Sequence, residues 1–288
     1  MEKIHSLLKR IGEVVFGVVF GMEMKRGFQY HYLVIITPIK TRTLVPPQDD
    51  LISVIRKSVR RIPEKSIMVI TSKVVSIWQG RCLKKEDYPE KDKLIISEAE
   101  KYLPRDLIPN KWVMHTIKNH LILPTAGIDE SNAGGYYILL PEFPRRAAEK
   151  LWRKLREIYR VKNLGIIISD SHSLPLRRGT VGVSLAHYGF QPLKDYRGRH
   201  DLFHREFKIT QSNLADSLAA SAVAVMGEGS EQTPLALISD IPFVKFGRKV
   251  RSRKLHSSFY VPEKEDIYHS LFAKLPWRKG GGGIEPGH

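Results

Sequence analysis

Cysteine is almost absent: among 288 residues there is only Cys82. A lone thiol excludes an internal disulfide and meets none of the spacings by which cysteines hold a metal, which points to a reducing, cytoplasmic setting and to Cys82 as a structural thiol. The G-x-x-x-x-G-K-[ST] loop and the strand-linked G-x-G-x-x-G fingerprint are also missing, so any nucleotide must be held in another way. There is no H-E-x-x-H for zinc and no G-x-S-x-G elbow for a hydrolase serine. His200 and His204 stand four apart, but "GRHDLFHRE" reads as a loop, and with His172 and His187 they read as surface histidines.

Long apolar runs are scarce too. The stretch from Val14 to Met22 is broken by glycines and falls well short of the roughly 20 residues a membrane span takes. A signal peptide, which has a core of this length, is the lesser alternative because glycines break the run and no clear small-x-small cleavage site follows; residues 1–30 read as an N-terminal extension, an accessory amphipathic helix or an added strand. No internal repeat is visible. Low complexity is confined to the glycine-rich end "WRKGGGGIEPGH", read as a flexible tail over residues 277–288.

Basic charge is in excess: 47 Lys and Arg stand against 30 Asp and Glu, a formal net charge of +17. The basic residues are spread through "RKSVRR", "FPRRAAEKLWRKLREIYR" and "FGRKVRSRK". Such a surface attracts anions over a Debye length without choosing between nucleic acid, phosphorylated cofactors and acidic peptides, and it also suits a merely well-solvated protein.

Along the chain, "YHYLVIITPI" (30–39) is a β-branched and aromatic run ending at proline and reads as a strand. After a loop, Leu51, Ile52, Ile55 and Val59 recur at helical spacing, with Asp49 and Asp50 expected in the first turn. "SIMVITS" (66–72) and "VVSIW" (74–78) read as a buried strand pair or one bulged strand, and "LILPTAG" (121–127) as a further strand. Between them "ISEAEKYL" and "RDLIPNKWVMHTI" look helical in pieces. Pro144 opens a helix in which Ala147, Leu151, Leu155 and Ile158 share a face. "LGIIISD" (164–170) is an apolar strand ending on an acid, followed by the loop "SHSLPLRRG" and the strand "TVGVSLAHYG". The alanine-rich helix "SNLADSLAASAVAVMG" (212–227) stops at glycine before the short strand "PLALIS". Without a regular βαβ beat, the expected class is α+β rather than a doubly wound sheet. A composition shift near Arg146 hints at a boundary.

Three places share a pattern in which an apolar element ends and oxygen-rich residues follow: Asp129 to Asn132 after "LILPTAG", Asp170 and Ser171 after "GIIIS", and Glu228 in "MGEGSEQTP". Hard divalent cations take such oxygens, commonly a few carboxylates completed by water and phosphate, although acids at strand ends also serve as caps and turn formers. The glycines of "MGEGSE" can offer backbone N–H groups to a phosphate.

Taken in order, "VITSKVVSIWQGR" (69–81), "TAGIDESNA" (125–133), "LLPEFPRRAAEKL" (139–151), "IIISDSHSLPLRRGTVGVSLAHYGF" (166–190), "KDYRGRHDLFHREFKIT" (194–210) and "LADSLAASAVAVMGEGSEQTP" (214–234) resemble blocks of the coenzyme F-420-0:gamma-glutamyl ligase family over residues 32–240. The resemblance implies a mixed α+β catalytic domain over 31–245, with interlocked subdomains in an intertwined homodimer, and a C-terminal segment over 246–276. It implies a GTP-dependent enzyme (ATP being the alternative) that uses two Mg²⁺ or Mn²⁺ ions to join L-glutamate to a carboxylate through an acyl phosphate. At the matching positions Asp129 and Asp170 would hold one ion, and Ser171 and Glu228 the other. Nucleotide contacts would come from the backbone of Thr41, Arg42, Thr43 and Leu44, from Ser72, Lys73 and Asn132, and from the stretch Met226 to Thr233 with Gly227, Gly229 and Ser230. Acceptor contacts would come from His172, Arg177, Arg178, Tyr196 and Arg197.

The chain departs from the family pattern at Ile77, where a lysine would neutralise phosphate, and in the stretch assigned to the acceptor. Ile77 stands where a lysine is common, Ser173 where glycine is, Leu174 where arginine is, and His204 where glycine is. The metal and nucleotide positions keep their chemistry, so the expected reaction is glutamate ligation onto an acidic acceptor, such as glutamate or a growing polyglutamate chain. Authentic coenzyme F-420-0 glutamylation is the alternative. A reading from another class, an inactive relative acting as a basic nucleic-acid-binding module, lacks the aromatic-studded basic motifs it needs.

Overall fold

The computed structural model describes residues 34–247 and 259–282. The expected N-terminal extension, residues 1–30, lies outside them. In chain order the main elements are strand β1 (Ile35–Ile39), helix α1 (Leu51–Ser58), β2 (Ser66–Thr71), α2 (Ser72–Gln79), β3 (Cys82–Lys84), α3 (Lys91–Glu98), β4 (Lys101–Tyr102), β5 (His115–Lys118), β6 (Leu121–Pro124) and β7 (Tyr136–Ile138). Then follow α4 (Pro144–Tyr159), β8 (Leu164–Ser173), β9 (Thr180–Tyr188), β10 (Leu193–Asp195), β11 (Gln211–Asn213), α5 (Leu214–Met226), β12 (Leu235–Ser239) and, after a short helical turn at His269–Phe272, β13 (Arg278–Lys279).

The central sheet has the order β1-β12-β2-β8-β9, in which β2 and β8 run parallel and the other pairs antiparallel. The class is α+β with mixed sheets and helices, as expected. Both faces of the sheet are covered, which is why its strands read as continuous apolar runs rather than as alternating ones. Met68 and Ile70 of β2, with Leu164, Ile166 and Ile168 of β8, pack against α1, α2 and α4. Ile67, Val69 and Ile167 point the other way, against Leu214, Leu218, Ala219 and Ala222 of α5. Leu151 and Leu155 of α4 are fully enclosed, each contributing about 1.5–3 kcal/mol by leaving water.

A smaller sheet, β13-β4-β5-β6, packs with α3 around Leu94, Ile95, Met114 and Ile128. Here the chain departs from the expected flexible tail. Arg278 and Lys279 pair with Tyr102 and Lys101 as an edge strand, and the N–H groups of Gly280, Gly281 and Gly282 donate to the carbonyls of Glu100, Ile96 and Ala99. A Cβ at Gly280 would lie 2.1 Å from the Ala99 carbonyl oxygen, so a glycine is required for that approach.

"VVSIW" is also not a strand. Residues 72–79 form α2, closed by Gly80 in the left-handed region, with the Gly80 N–H on the Ile77 carbonyl and the Arg81 N–H on the Ser76 carbonyl. The β-branched residues favour a strand locally, but burying Val74, Val75 and Ile77 against the sheet and satisfying the helix end at Gly80 outweigh that bias. Asp49 and Asp50 precede α1 rather than sitting in its first turn. Asp50 caps the helix by accepting from the N–H groups of Ile52 and Ser53. "LILPTAG" is strand only to Pro124, and "RDLIPNKWVMHTI" ends in β5. Arg146 lies inside α4, and one hydrophobic core spans both sides of it, so the composition shift marks no boundary. His187 is buried on β9 rather than at the surface. None of the described helices is long and apolar enough to cross a membrane.

Candidate active site

β2 and β8 lie side by side and parallel, so their C-terminal ends open at the same edge of the sheet. A cavity of about 310 Å³ lies there. Its lining brings together every residue expected to touch metal or nucleotide: the loop Thr41–Leu44, Ser72 and Lys73 at the start of α2, Asp129 and Asn132, Asp170 and Ser171 on β8, and Met226 to Ser230 after α5.

Each group is placed by ordinary backbone chemistry. Asp129 is pinned to β7 by two hydrogen bonds, its N–H donating to the Ile138 carbonyl at 2.9 Å and its carbonyl accepting from the Ile138 N–H at 2.8 Å. Asp170 continues β8 past its apolar run. Glu228 follows Gly227, where α5 ends, and α5 is held close to the sheet because Gly182 has no side chain: a Cβ there would lie 2.6 Å from the Ala219 carbonyl oxygen. The 41–44 loop is tied in through the Thr41 N–H on the Gln232 carbonyl, and the Arg42 guanidinium holds Asp49 at 2.5 and 2.7 Å. That guanidinium, with the Val45 and Asp50 N–H groups, keeps the Asp49 carboxyl well below the usual carboxylate range. Asn132 adopts φ 52°, which asparagine tolerates, and its side-chain amide donates to the Gly229 carbonyl at 3.1 Å.

The carboxylates differ in their partners. Asp129 Oδ2 faces the Lys73 ammonium at 2.7 Å, while Oδ1 accepts from the Ser131 N–H and hydroxyl at 2.7 and 2.8 Å. Burial raises the Asp129 pKa, but Lys73 and Ser131 outweigh it and hold the group below its ordinary value. Asp170 accepts from the Ser72 hydroxyl at 2.8 Å. Burial pushes its pKa up to about 6, with the negative charges of Asp129 and Glu228 adding to the shift and the Ser72 and Ser171 donors opposing it. Glu228 accepts from the Ser171 hydroxyl at 2.7 Å and from the Thr180 hydroxyl at 3.2 Å. Among the described residues, no Lys, Arg or His forms an ion pair with Asp170 or Glu228.

Among the described residues, no three His, Cys, Asp or Glu side chains converge tightly enough to chelate one ion by themselves. The donors nonetheless fit Mg²⁺ or Mn²⁺ in kind. Asp129, Asp170, Ser171 and Glu228 are hard oxygens in one cavity, the donor set that a divalent ion completed by water and phosphate takes.

The residues expected at the acceptor are not brought into this cavity: none of His172, Arg177, Arg178, Tyr196 and Arg197 lines it. His172 is half-buried two residues beyond Asp170 on β8, where burial lowers its pKa. Arg177 and Arg178 are exposed on the β8–β9 turn. Tyr196 packs edge-on to Phe207, and Arg197 grips Asp195 with two nitrogens. Glu130 is drawn off by Lys85 and Lys91, which leaves Asp129 as the acid of that turn facing the cavity. Thr180 has no role in the sequence reading, while Ser131 and Glu231 lie within the stretches Asp129 to Asn132 and Met226 to Thr233 without a role of their own. Glu231 accepts from the Gly229 N–H at 2.9 Å and shapes the loop. Ser131 sits inside "TAGIDESNA", two residues after Asp129, whereas no local signal links Thr180 to Glu228. Cys82 is buried, which pushes its thiol up to about 11, in line with a structural role.

Fold and cavity thus define an α+β protein whose site suits hard cations and oxyanions together. A family model described as F420-0:Gamma-glutamyl ligase matches residues 38–240. The chain is 34% identical over 219 residues to the Coenzyme F420:L-glutamate ligase of Methanopyrus kandleri, with 70% of this chain and 85% of that one covered. It is 36% identical over 200 residues to the enzyme of that name from Methanococcus maripaludis strain C7, covering 68% and 78%. For the one from Archaeoglobus fulgidus the identity is 29% over 249 residues, covering 81% and 95%. The chain belongs to the F420-0:gamma-glutamyl ligase family and is an enzyme of the ligase class.

Proposed function

We propose that this enzyme forms an amide bond between L-glutamate and an acidic acceptor, using GTP and divalent metal ions. The observation that carries the reading is the convergence of Asp129, Asp170 with Ser171, and Glu228 from three separate elements onto the cavity that the glycine-bearing 226–233 loop borders.

Asp129, Asp170, Ser171 and Glu228 would hold the ions, which when bound supply positive charge against phosphate oxygens as the terminal phosphoryl group moves. The backbone of Thr41–Leu44 and of Met226–Thr233 would cradle the nucleotide, with Asn132 bracing the second loop. Phosphoryl transfer to the acceptor carboxylate breaks the β–γ bond of the nucleotide and makes an acyl phosphate. The glutamate amine then attacks the acyl carbon, loses a proton and expels phosphate. Water must be kept from the acyl phosphate, because its attack there competes with the amine.

The net charge of +17 supports an acidic acceptor, and the altered residues Ile77, Ser173, Leu174 and His204 favour glutamate or a polyglutamate chain. The names of the relatives favour the second reading, glutamylation of coenzyme F420. The intertwined homodimer belongs to this proposal and is supported by the outward-facing Leu176, Leu202, Phe203 and Ile209, as does a cytoplasmic setting. The test incubates the enzyme with GTP, Mn²⁺ and L-glutamate, either alone, with oligoglutamate or with F420-0, and reads phosphate release and product mass. A glutamate ladder without deazaflavin supports the first acceptor, and product from F420-0 alone supports the second. No phosphate release with any acceptor rejects the ligase reading.

A further inference from the structure

Lys73 makes an unusual set of contacts for a side chain expected to serve a nucleotide. Its ammonium group lies 2.7 Å from Asp129 Oδ2 and 2.9 Å from both the Ser131 carbonyl oxygen and the Ser131 hydroxyl. An ammonium has three protons and no acceptor, so these three oxygens saturate it. They are also the kind of oxygen set a hard cation takes. Across the cavity, Asp170 and Glu228 are held by the Ser72, Ser171 and Thr180 hydroxyls, with no cationic side chain paired to either among the described residues.

We infer that Lys73 is the resident counter-ion of the Asp129 wall and makes filling of the two cation positions sequential. With Asp170 shared between the two positions, the one at Ser171 and Glu228 takes a divalent ion from solution by itself. The Asp129 position takes one only together with nucleotide. This deepens the two-ion reading and rests on it.

The physical reason is competition for one carboxylate. An ion approaching Asp129 meets an ammonium charge already within contact distance, and like charges at that separation repel. Among the described residues no cationic side chain pairs with Asp170, whose Oδ1 accepts from the Ser72 hydroxyl, so an arriving ion displaces no resident charge there. Nucleotide phosphates change the balance by offering the ammonium another anion. Lys73 is in the first turn of α2, lines the same cavity and has a side chain that is 25% exposed, so its flexible stem can swing from Asp129 to phosphate without unpacking the core. Lys73 would then stand as a positioning residue that couples nucleotide binding to completion of the metal site.

The experiment counts Mn²⁺ bound to chelator-stripped full-length protein by titration calorimetry and by the paramagnetic resonance of free Mn²⁺, with and without the non-hydrolysable GTP analogue bearing an imido β–γ bridge. The expected result is one ion per chain without nucleotide and two with it. Lys73→Met is expected to bind two ions without nucleotide, tightening the second by at least about tenfold. Lys73→Arg, which keeps the charge, is expected to remain at one. Two ions in the wild type without nucleotide would overturn the inference, as would one ion in a Lys73→Met protein whose melting curve shows it folded. No Mn²⁺ bound even with nucleotide would instead reject the two-ion reading on which the inference stands.

Discussion

Asp129 and Asp170 face one cavity from different elements, yet Asp129 rests against an ammonium group and two serine donors while Asp170 rests against hydroxyl and amide donors alone. One carboxylate is therefore held below its ordinary pKa and the other is raised to about 6, although burial pushes both in the same direction. The difference teaches that the two walls are prepared differently for a cation. The first is already neutralised within the protein, and the second is a half-buried carboxylate with no cationic side chain paired to it among the described residues.

The sharpest way to break that comparison is Asp170→Asn. Ligation followed by phosphate release is expected to fall by about 10³-fold, because the substitution removes an anionic oxygen where charge must be balanced. At neutral pH the chelator-stripped variant is expected to melt higher than wild type, by on the order of 2 kcal/mol, since the penalty on an enclosed charge is gone. A lower melting temperature would mean that burial does not strain this wall. Thr180→Val tests the hydroxyl that holds Glu228: kcat/KM is expected to drop about tenfold with the melting temperature nearly unchanged, because Thr180 is exposed.

Asp129→Asn should move stability in the opposite sense to Asp170→Asn. Losing the pair with Lys73 is expected to destabilise the protein by at most about 1 kcal/mol, a figure kept small by the pair's partial exposure, and thermal melting of the two variants side by side reads the sign. The smallest effect is expected at Glu64, far from both walls, where the carboxylate accepts the Lys162 and Asn163 N–H groups. The Lys162 N–H, chiefly, and the Asn163 donors hold its pKa below the ordinary value against a small opposing effect of burial. The stability it contributes is thus present above about pH 4.3 and is lost as the pH falls through the lower folded value. Glu64→Gln should cost roughly 0.5 kcal/mol at neutral pH and flatten the acid limb of a pH–melting profile.

Elements whose signal is local were legible. Pro144 at the first turn of α4, Asn213 capping α5 and Gly227 ending it are punctuation that acts through neighbouring backbone, and the apolar face of α4 repeats at the helical period. α2 was misread because Val74, Val75 and Ile77 favour a strand by themselves, whereas the sheet they pack against comes from distant segments. Gly80 was the available clue, as a left-handed stop directly after the run. The C-terminal strand was illegible for a related reason. "WRKGGGG" has the composition of a linker, and its order comes from hydrogen bonds to Tyr102, Lys101 and the end of α3, more than 170 residues earlier.

The candidate site divides in the same way. Asp129, Asp170, Ser171 and Glu228 each follow an apolar element in the sequence, and the cavity brings them together. His172, Arg177, Arg178, Tyr196 and Arg197, expected at the acceptor, do not line that cavity, since the end of β8, the β8–β9 turn and the segment after β10 carry them away from it.

By itself, then, the sequence determined which segments are apolar enough to be buried, where several of them stop, and which oxygen-bearing residues follow those stops, since all of these are short-range properties of composition and spacing. The tertiary structure alone decided that Lys73 neutralises Asp129, that Thr180 steadies Glu228 and that Asp170 sits half-buried against the Ser72 hydroxyl. The electrostatic state of a carboxylate depends on what lies within a few ångströms of it, and those neighbours are brought there by strands and helices that the chain separates by dozens of residues.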